Sequence, residues 1–259
     1  MRSRLQSWSA RVTPNLQKFL ERLTSRSVLT DEQQEAILGL PFLARQIEAN
    51  QDFVELDEKT EHSCLVLEGL VGRFDENSLG DRQITALHIA GDMPDLQSLV
   101  QPTAPAALQA LSASIILQIP HGALRALTRA HPAISEAFWR DNLVDSTIST
   151  QWIANLGRRN APSRIAHLLC EMAYRYDAVS QDGKLQFKLP MTQSQIANAT
   201  GMTMIHANRT LKKLAAIGTT LCSGIVVIKN LDALTDLGDF DEDYLQRNVS
   251  PIECHCIAP

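Results

Sequence analysis

The period of the apolar positions changes repeatedly along this chain, and each change marks an element. Helical spacing runs through the first fifty residues. In LTDEQQEAILGLP, Thr30 is followed three positions later by Gln33, the spacing of a capping box, and Pro41 stops the pattern. From about residue 53 the texture shortens to FVEL, SCLVLEG, LVGRFDE, RQITALHIA, ALQALSA and SIILQIP, with Asp, Gly, Asn, Ser and Pro between them, as in DENSLGD (75–81) and IAGDMPD (89–95). Short apolar or alternating runs this close together predict a β sandwich or barrel-like unit.

Helical spacing returns in HGALRALTRAHP, and Pro132 fits the first position of a longer helix, 132–157, that Gly157 ends. Along it Ile134, Phe138, Val144, Ile148, Trp152 and Leu156 lie mostly four apart, with one six-residue skip, and Asp141 and Asp145 interrupt the stripe. That stripe fits a partner helix from a second chain as well as it fits the chain's own β unit. APSRIAHLLCEMAYRYDAV is another amphipathic helix, with Ile165, Leu168, Leu169 and Met172 on one face, and KLQFKLP reads as a short strand. The boundary between these parts falls in a compact hinge at residues 157–162.

Residues 191–218 concentrate the local signals. Thr192 followed by Gln195 is a second capping-box spacing and starts the helix QSQIANAT; Gly201 sits where a tight turn needs positive φ; Thr203 caps a further helix from Met204 to near Gly218. Two helices across a glycine turn make a helix-turn-helix. Ala207, Leu211 and Leu214 give the second helix an apolar face toward Ile196 and Ala197, while Ile205, Asn208, Arg209 and Lys212 share the opposite face. An arginine can bond guanine and an asparagine adenine in a bidentate manner, and lysine holds phosphate, so this face has the chemistry of a major-groove reader. The bland alternative is a helical hairpin with a solvated basic face. IGTTLCSGIVVIKN, with two β runs around Ser223-Gly224, completes the order helix, turn, helix, hairpin of a winged helix.

Charge sharpens this reading. The chain of 259 residues has a net charge of −5, yet residues 158–229 hold ten Lys and Arg against three Asp and Glu, so that segment is +7 and the remainder −12. One segment is built to meet a polyanion. No run approaches the roughly 18 apolar residues of a membrane span, and the basic N-terminus has no apolar core of a signal peptide, so a cytoplasmic protein with no membrane partner is expected. The five cysteines, Cys64, Cys170, Cys222, Cys254 and Cys256, are irregularly spaced and form no disulfide framework. Cys254-His255-Cys256 could be half of a metal or redox site, but no second ligand pair accompanies it. Without a nucleophile motif, a phosphate loop or paired metal-ligand spacing, neither an enzyme, a metal nor a cofactor is expected.

The chain resembles the CRP/FNR family of bacterial transcription regulators over most of its length. The resemblance rests on RQITALHIAGDMPDL, on NLGRRNAPSRIAHLLCEM and above all on LPMTQSQIANATGMTMIHANRTLKKL, which carries the frame T-x-x-x-I/L-A-x-x-x-G followed by an Asn-Arg pair. It implies an α+β fold: a cyclic-nucleotide-binding-like, jelly-roll-like double-stranded β-roll with N-terminal helices over 1–131, a dimerisation helix over 132–157, a winged helix-turn-helix over 158–233 and an acidic tail over 234–259. The tail either folds over the winged helix or hangs free.

By the same resemblance the chain is a homodimeric, sequence-specific regulator of a roughly palindromic double-stranded DNA operator, with RNA polymerase and an unidentified small-molecule effector as further candidate partners. Thr192, Gln193, Thr203, Ile205, His206, Asn208, Arg209, Lys212 and Lys213 are the expected DNA-binding residues, with Lys188 adding phosphate affinity. Ile205 stands where well-known members carry a glutamate that reads a cytosine-containing step, so His206 and Asn208 become the replacement readers, with phosphate contact alone as the alternative for His206. Asp92 replaces the glutamate of the cyclic-nucleotide site, and no Arg or Lys occurs between Arg82 and Arg125 to hold a phosphate, so cyclic AMP binding in the usual way is not expected. A single cysteine, Cys64, before residue 170 leaves no four-cysteine cluster. His62, Cys64 and His88 are weaker candidates for haem. The alternative function is a ligand-sensing module acting on a protein partner instead of DNA.

Overall fold

The computed structural model describes residues 15–181 and 183–254; the basic N-terminal stretch, His255 and Cys256 lie outside them. Two short helices come first, α1 (Gln17–Thr24) and α2 (Asp31–Leu38), the latter started by the full capping box of Thr30 and Gln33. Strands β1 (Leu43–Ile47), β2 (Asp52–Val54), β3 (His62–Glu68), β4 (Val71–Glu76), β5 (Arg82–His88), β6 (Ala107–Ala110) and β7 (Ser114–Pro120) follow, with a 3-10 turn at Leu96–Leu99. They form two antiparallel sheets, ordered β1-β7-β3 and β2-β6-β4-β5.

The two-residue period of the strands explains why this roll has an inside and an outside. On β3, Cys64 and Val66 enter the core between the sheets with Val54, Leu108 and Ile116, while Leu65 and Leu67 join the core beneath the helices. On β7, Ile116 faces inward and Leu117 and Ile119 face the helices. The β unit starts at Leu43, before the expected change of texture near residue 53. Four of the five β1 residues are exposed, so no apolar alternation reveals the strand; pairing with β7, from Leu43 opposite Gln118 to Ile47 opposite Ser114, holds it.

Helix α3 (His121–Ala130) leads into α4 (Pro132–Arg158), with Pro132 in its first turn as expected. Ile134, Phe138, Val144, Ile148 and Trp152 are all buried against the chain itself. The choice left open in the sequence is thereby made: this stripe belongs to the protomer's own core. A second stripe, Trp139, Leu143, Ser146, Thr150, Ile153 and Gly157, remains exposed at alternating steps of four and three residues.

The C-terminal half contains α5 (Ala161–Arg175), β8 (Val179–Gln181), β9 (Lys184–Lys188), α6 (Gln193–Thr200), α7 (Met204–Ala216), β10 (Thr219–Cys222), β11 (Ile225–Ile228) and α8 (Leu231–Gly238). Its antiparallel sheet is ordered β10-β11-β9-β8. Ser223 and Gly224, at φ +50° and +74°, close the expected hairpin. Helix α8 runs past residue 233 to Gly238, where an added Cβ would lie 2.8 Å from the His167 backbone nitrogen, so glycine permits α8 to rest directly on α5. This half shares one apolar core with the outer face of the roll, since Leu70, Phe74, Ile84, Leu87 and Leu111 cluster with Ile165, Leu169, Ile196 and Leu214. Among the described residues no helix is long and apolar enough to cross a membrane.

Candidate nucleic-acid interface

The helix-turn-helix is assembled by the expected local bonds. The Thr192 hydroxyl accepts from the Gln195 amide at 3.2 Å and the Gln195 side chain accepts from the Thr192 amide at 2.8 Å, which closes the capping box of α6. Gly201 takes the left-handed conformation at φ +60°, and a Cβ there would come within 3.0 Å of Leu156. The Thr203 hydroxyl then caps α7, accepting from the His206 amide at 3.3 Å. Because these bonds span three residues, the sequence alone specifies them.

Helix α7 divides cleanly. Ala207, Thr210 and Leu214 are buried, with Leu211 half-buried beside them. Ile205 is 64% exposed, and His206, Arg209, Lys212 and Lys213 also face solvent. Among the described residues none of these three cations is ion-paired, so their charge is available to a ligand. Asn208 is half-buried and its amide donates to the Gln193 side chain at 2.7 Å, which fixes the asparagine relative to the start of α6. Thr192, Gln193 and Thr203 are exposed at the N-terminal ends of the two helices, where backbone amides and the helix dipole favour anions. Lys188 is exposed on β9 opposite Ile225 of the wing. Most of the expected site residues are thus exposed, and the Asn208–Gln193 bond joins the two helices of the motif.

Other contacts had no local signal. The Gln83 side chain, on β5, donates to the Asn198 carbonyl of α6, and the Gln195 side chain donates to the Leu111 carbonyl at 3.3 Å and the Asn50 side chain at 3.1 Å. The first helix of the reader is thus docked on the roll by side chains of opposite halves. Where the N-terminal helix and the end of α5 meet the roll, Asp92 is buried and accepts from Arg22 at 2.8 Å, from Arg175 at 2.6 Å and from the Ile89 amide at 2.9 Å. Arg22 also reaches Asp141 at 2.5 Å and Asp145 at 3.0 Å on α4. Burial alone would raise the Asp92 pKa, but the two guanidiniums outweigh it and hold the carboxyl below its ordinary range.

Inside the roll, the space bounded by Val54, Arg73, Asp95 and Leu108 is about 20 Å³, room for roughly one water. Asp95 accepts from the Cys64 amide at 2.6 Å while its second oxygen is buried without a partner, and burial pushes its pKa up to about 7. Since the folded state holds this proton more tightly than the unfolded chain, the contribution is full below about pH 4 and is lost as pH rises through about 7. Asp95→Asn, which never charges, should gain on the order of 2–4 kcal/mol over the parent at pH 8 and match it near pH 4. Urea unfolding of both proteins at those two pH values checks this, and parallel pH profiles would exclude it.

The three residues considered for haem have other surroundings. His62 is hydrogen-bonded to the Gln118 side chain at 2.7 Å; Cys64 is buried, its thiol pushed up by burial; His88 is buried next to the Asp92 network and held neutral by burial and by Arg73. They form no metal-holding group among the described residues.

A β-roll, a long helix and an exposed winged helix-turn-helix define the class of transcription regulators that carry a DNA-binding unit behind a sensor-type domain. Residues 44–131 match the cyclic nucleotide-binding domain and residues 163–237 the Crp-like helix-turn-helix domain. The chain is 25% identical over 194 residues to the fumarate and nitrate reduction regulatory protein of Escherichia coli (strain K12), covering 74% of this chain and 77% of the relative. It is 25% identical over 196 residues to the anaerobic regulatory protein of Haemophilus influenzae, covering 74% and 75%. The solved structure of FixK2 from Bradyrhizobium japonicum superposes with a TM-score of 0.69 at 24% identity, covering 76% of this chain and 98% of that one. The chain belongs to the CRP/FNR family of bacterial transcription regulators.

Proposed function

We propose that the protein is a homodimer that binds a roughly palindromic operator through α7. The observation that carries this is the solvent-facing surface of α7, where Ile205, His206, Arg209 and Lys212 stand clear while Ala207 and Leu214 anchor the helix beneath. Arg209 reads a base edge, Asn208 and His206 tune the readout, and Ile205 makes apolar contact with a thymine methyl. Lys212, Lys213 and Lys188 hold phosphates, as do the helix starts at Thr192, Gln193 and Thr203. The unpartnered stripe of α4 supports the dimer, because steps of four and three are those of a coiled-coil seam. Two-fold symmetry then sets the half-sites about one helical turn apart. The pairing of Asp92 with two arginines supports a regulator that does not take cyclic AMP in the family's usual way.

Selection from a random DNA pool by the purified protein, without added effector, tests this reading. An enriched palindrome is expected. Arg209→Ala should then weaken operator binding by about 1–3 kcal/mol and relax the preference at one base pair, whereas Lys212→Ala should reduce the salt slope by about one unit across all sequences. Equal losses on random and selected DNA for both variants would overturn the assignment of roles.

A further inference from the structure

The acidic segment after α8 does not hang free; it crosses three other parts of the protomer. Phe240 and Leu245 are buried in the core shared by the roll and the winged unit. Tyr244 stacks on His167 of α5 at 5.9 Å between ring centroids and donates to Glu171 at 2.9 Å. Glu171 is wholly buried and also accepts from Trp152 of α4 at 2.9 Å. On the long helix, the Thr147 hydroxyl donates to the Tyr244 carbonyl at 2.9 Å. At the N-terminal end, Arg26 donates to the Leu245 carbonyl at 3.0 Å and the Gln246 carbonyl at 3.2 Å. The segment finishes in a parallel bridge, in which Val28 donates to the Ile252 carbonyl and Ile252 to the Arg26 carbonyl, each at 3.0 Å.

Taken in order, these bonds run from the winged unit over the long helix to the connection between α1 and α2. We infer that residues 239–254 are an intramolecular strap that holds the winged unit against the long helix and the N-terminal segment, and so presets the position of α7 for DNA. The peptide connection between the long helix and the winged unit is the short hinge Arg159–Asn160, and Arg159 there is itself tied to Asp239 at the start of the strap at 3.1 Å. A covalent joint that short leaves the angle between the two units to the packing around it. The strap acts across this joint at two places, Thr147 on one side and Glu171 on the other. With it in place the reading face of α7 is open to solvent. The strap therefore supplies preorganisation, and ordering the winged unit in advance reduces what must be ordered on binding. The inference that DNA affinity is affected rests on the proposed DNA-binding function; the mechanical coupling does not.

Two variants loosen the strap, each at a different place, without touching the buried residues Phe240 and Leu245. One is Thr147→Val with Tyr244→Phe, which removes both bonds by which the strap spans the joint. The other is Ile252→Pro, which deletes the amide that donates to Arg26, with Ile252→Ala as the control that keeps it. The first readout is the rate at which trypsin cuts after Arg158 or Arg159. A rise of about tenfold in both variants, and none in Ile252→Ala, is expected for a loosened hinge. The second is binding of the selected operator, expected to weaken by about tenfold in the same two variants. Unchanged cleavage overturns the strap whatever the DNA result. Faster cleavage with unchanged or tighter operator binding overturns the preorganising role. An intact chain that selects no operator counts against the DNA-binding proposal alone, since the cleavage rates still decide the strap.

Discussion

Asp92→Asn is expected to lower the unfolding free energy by about 3–5 kcal/mol, because it leaves two buried guanidiniums facing a neutral amide. Arg22 and Arg175 both end on this carboxylate, and neither can move into water without giving up Asp141, Asp145 or Glu171. Adding Arg175→Met to the variant should recover part of the loss, since one of the stranded charges goes with it, and the pair should fall short of additivity. Urea unfolding at pH 7 checks both statements; a loss of less than about 1 kcal/mol in the single variant would remove the network from the account of stability. The pH dependence has a definite sign. The folded Asp92 pKa lies below its ordinary 3.8, so its contribution is complete above that value and is lost as pH falls through the lower folded one. The gap between parent and variant should therefore close in acid. Asp95 works in the opposite direction, losing its contribution as pH rises through about 7.

The double substitution Leu143→Glu with Ile153→Glu should convert the protein to a monomer and weaken operator binding by about 10²–10⁴-fold, the loss expected when two linked half-site contacts become independent. Both residues lie on the exposed stripe of α4, at 53% and 73% exposure. In a two-fold seam each would face its own copy, so the substitution sets like charges together in an apolar contact. Because neither side chain is buried in the protomer, the monomer should keep its fold, and circular dichroism should show the parent's helix content. Light scattering after gel filtration gives the mass. A dimer persisting at micromolar concentration would place the interface elsewhere, and a monomer that bound the operator as tightly as the parent would sever dimerisation from DNA binding.

The helix-turn-helix was legible because its determinants act within a few residues. Thr192 with Gln195, Thr203 with His206, Gly201 at the turn and Ser223-Gly224 at the wing each satisfy backbone groups or a φ requirement close by in the chain. The amphipathic division of α7 is likewise a matter of period, and so is the inside and outside of β3 and β7. Strands β1 and β8 were missed for the complementary reason: β1 lies largely in solvent and β8 is too short to show a pattern, and hydrogen bonding to β7 and β9 makes them strands.

Helix α4 shows where local pattern stops being sufficient. It carries two stripes of similar helical period, and nothing within the helix says which one the protomer covers. The stripe from Ile134 to Trp152 is covered because the roll and α5 stand beside it; the stripe from Trp139 to Gly157 is left open, its apolar pattern interrupted in the sequence by Ser146, Thr150 and Gly157. Asp141 and Asp145 read as interruptions of the first stripe, yet they are partners of Arg22, more than a hundred residues away. The strap is the same case, since the bond between Val28 and Ile252 joins nearly the two ends of the described chain. By itself, then, the sequence determined most of the elements, their caps and the amphipathic division of α7, all of which depend on near neighbours. The assignment of the two α4 faces, the buried ion network and the course of the C-terminal segment were decided only by the tertiary structure, because charge pairing and burial depend on which distant surfaces the fold brings together.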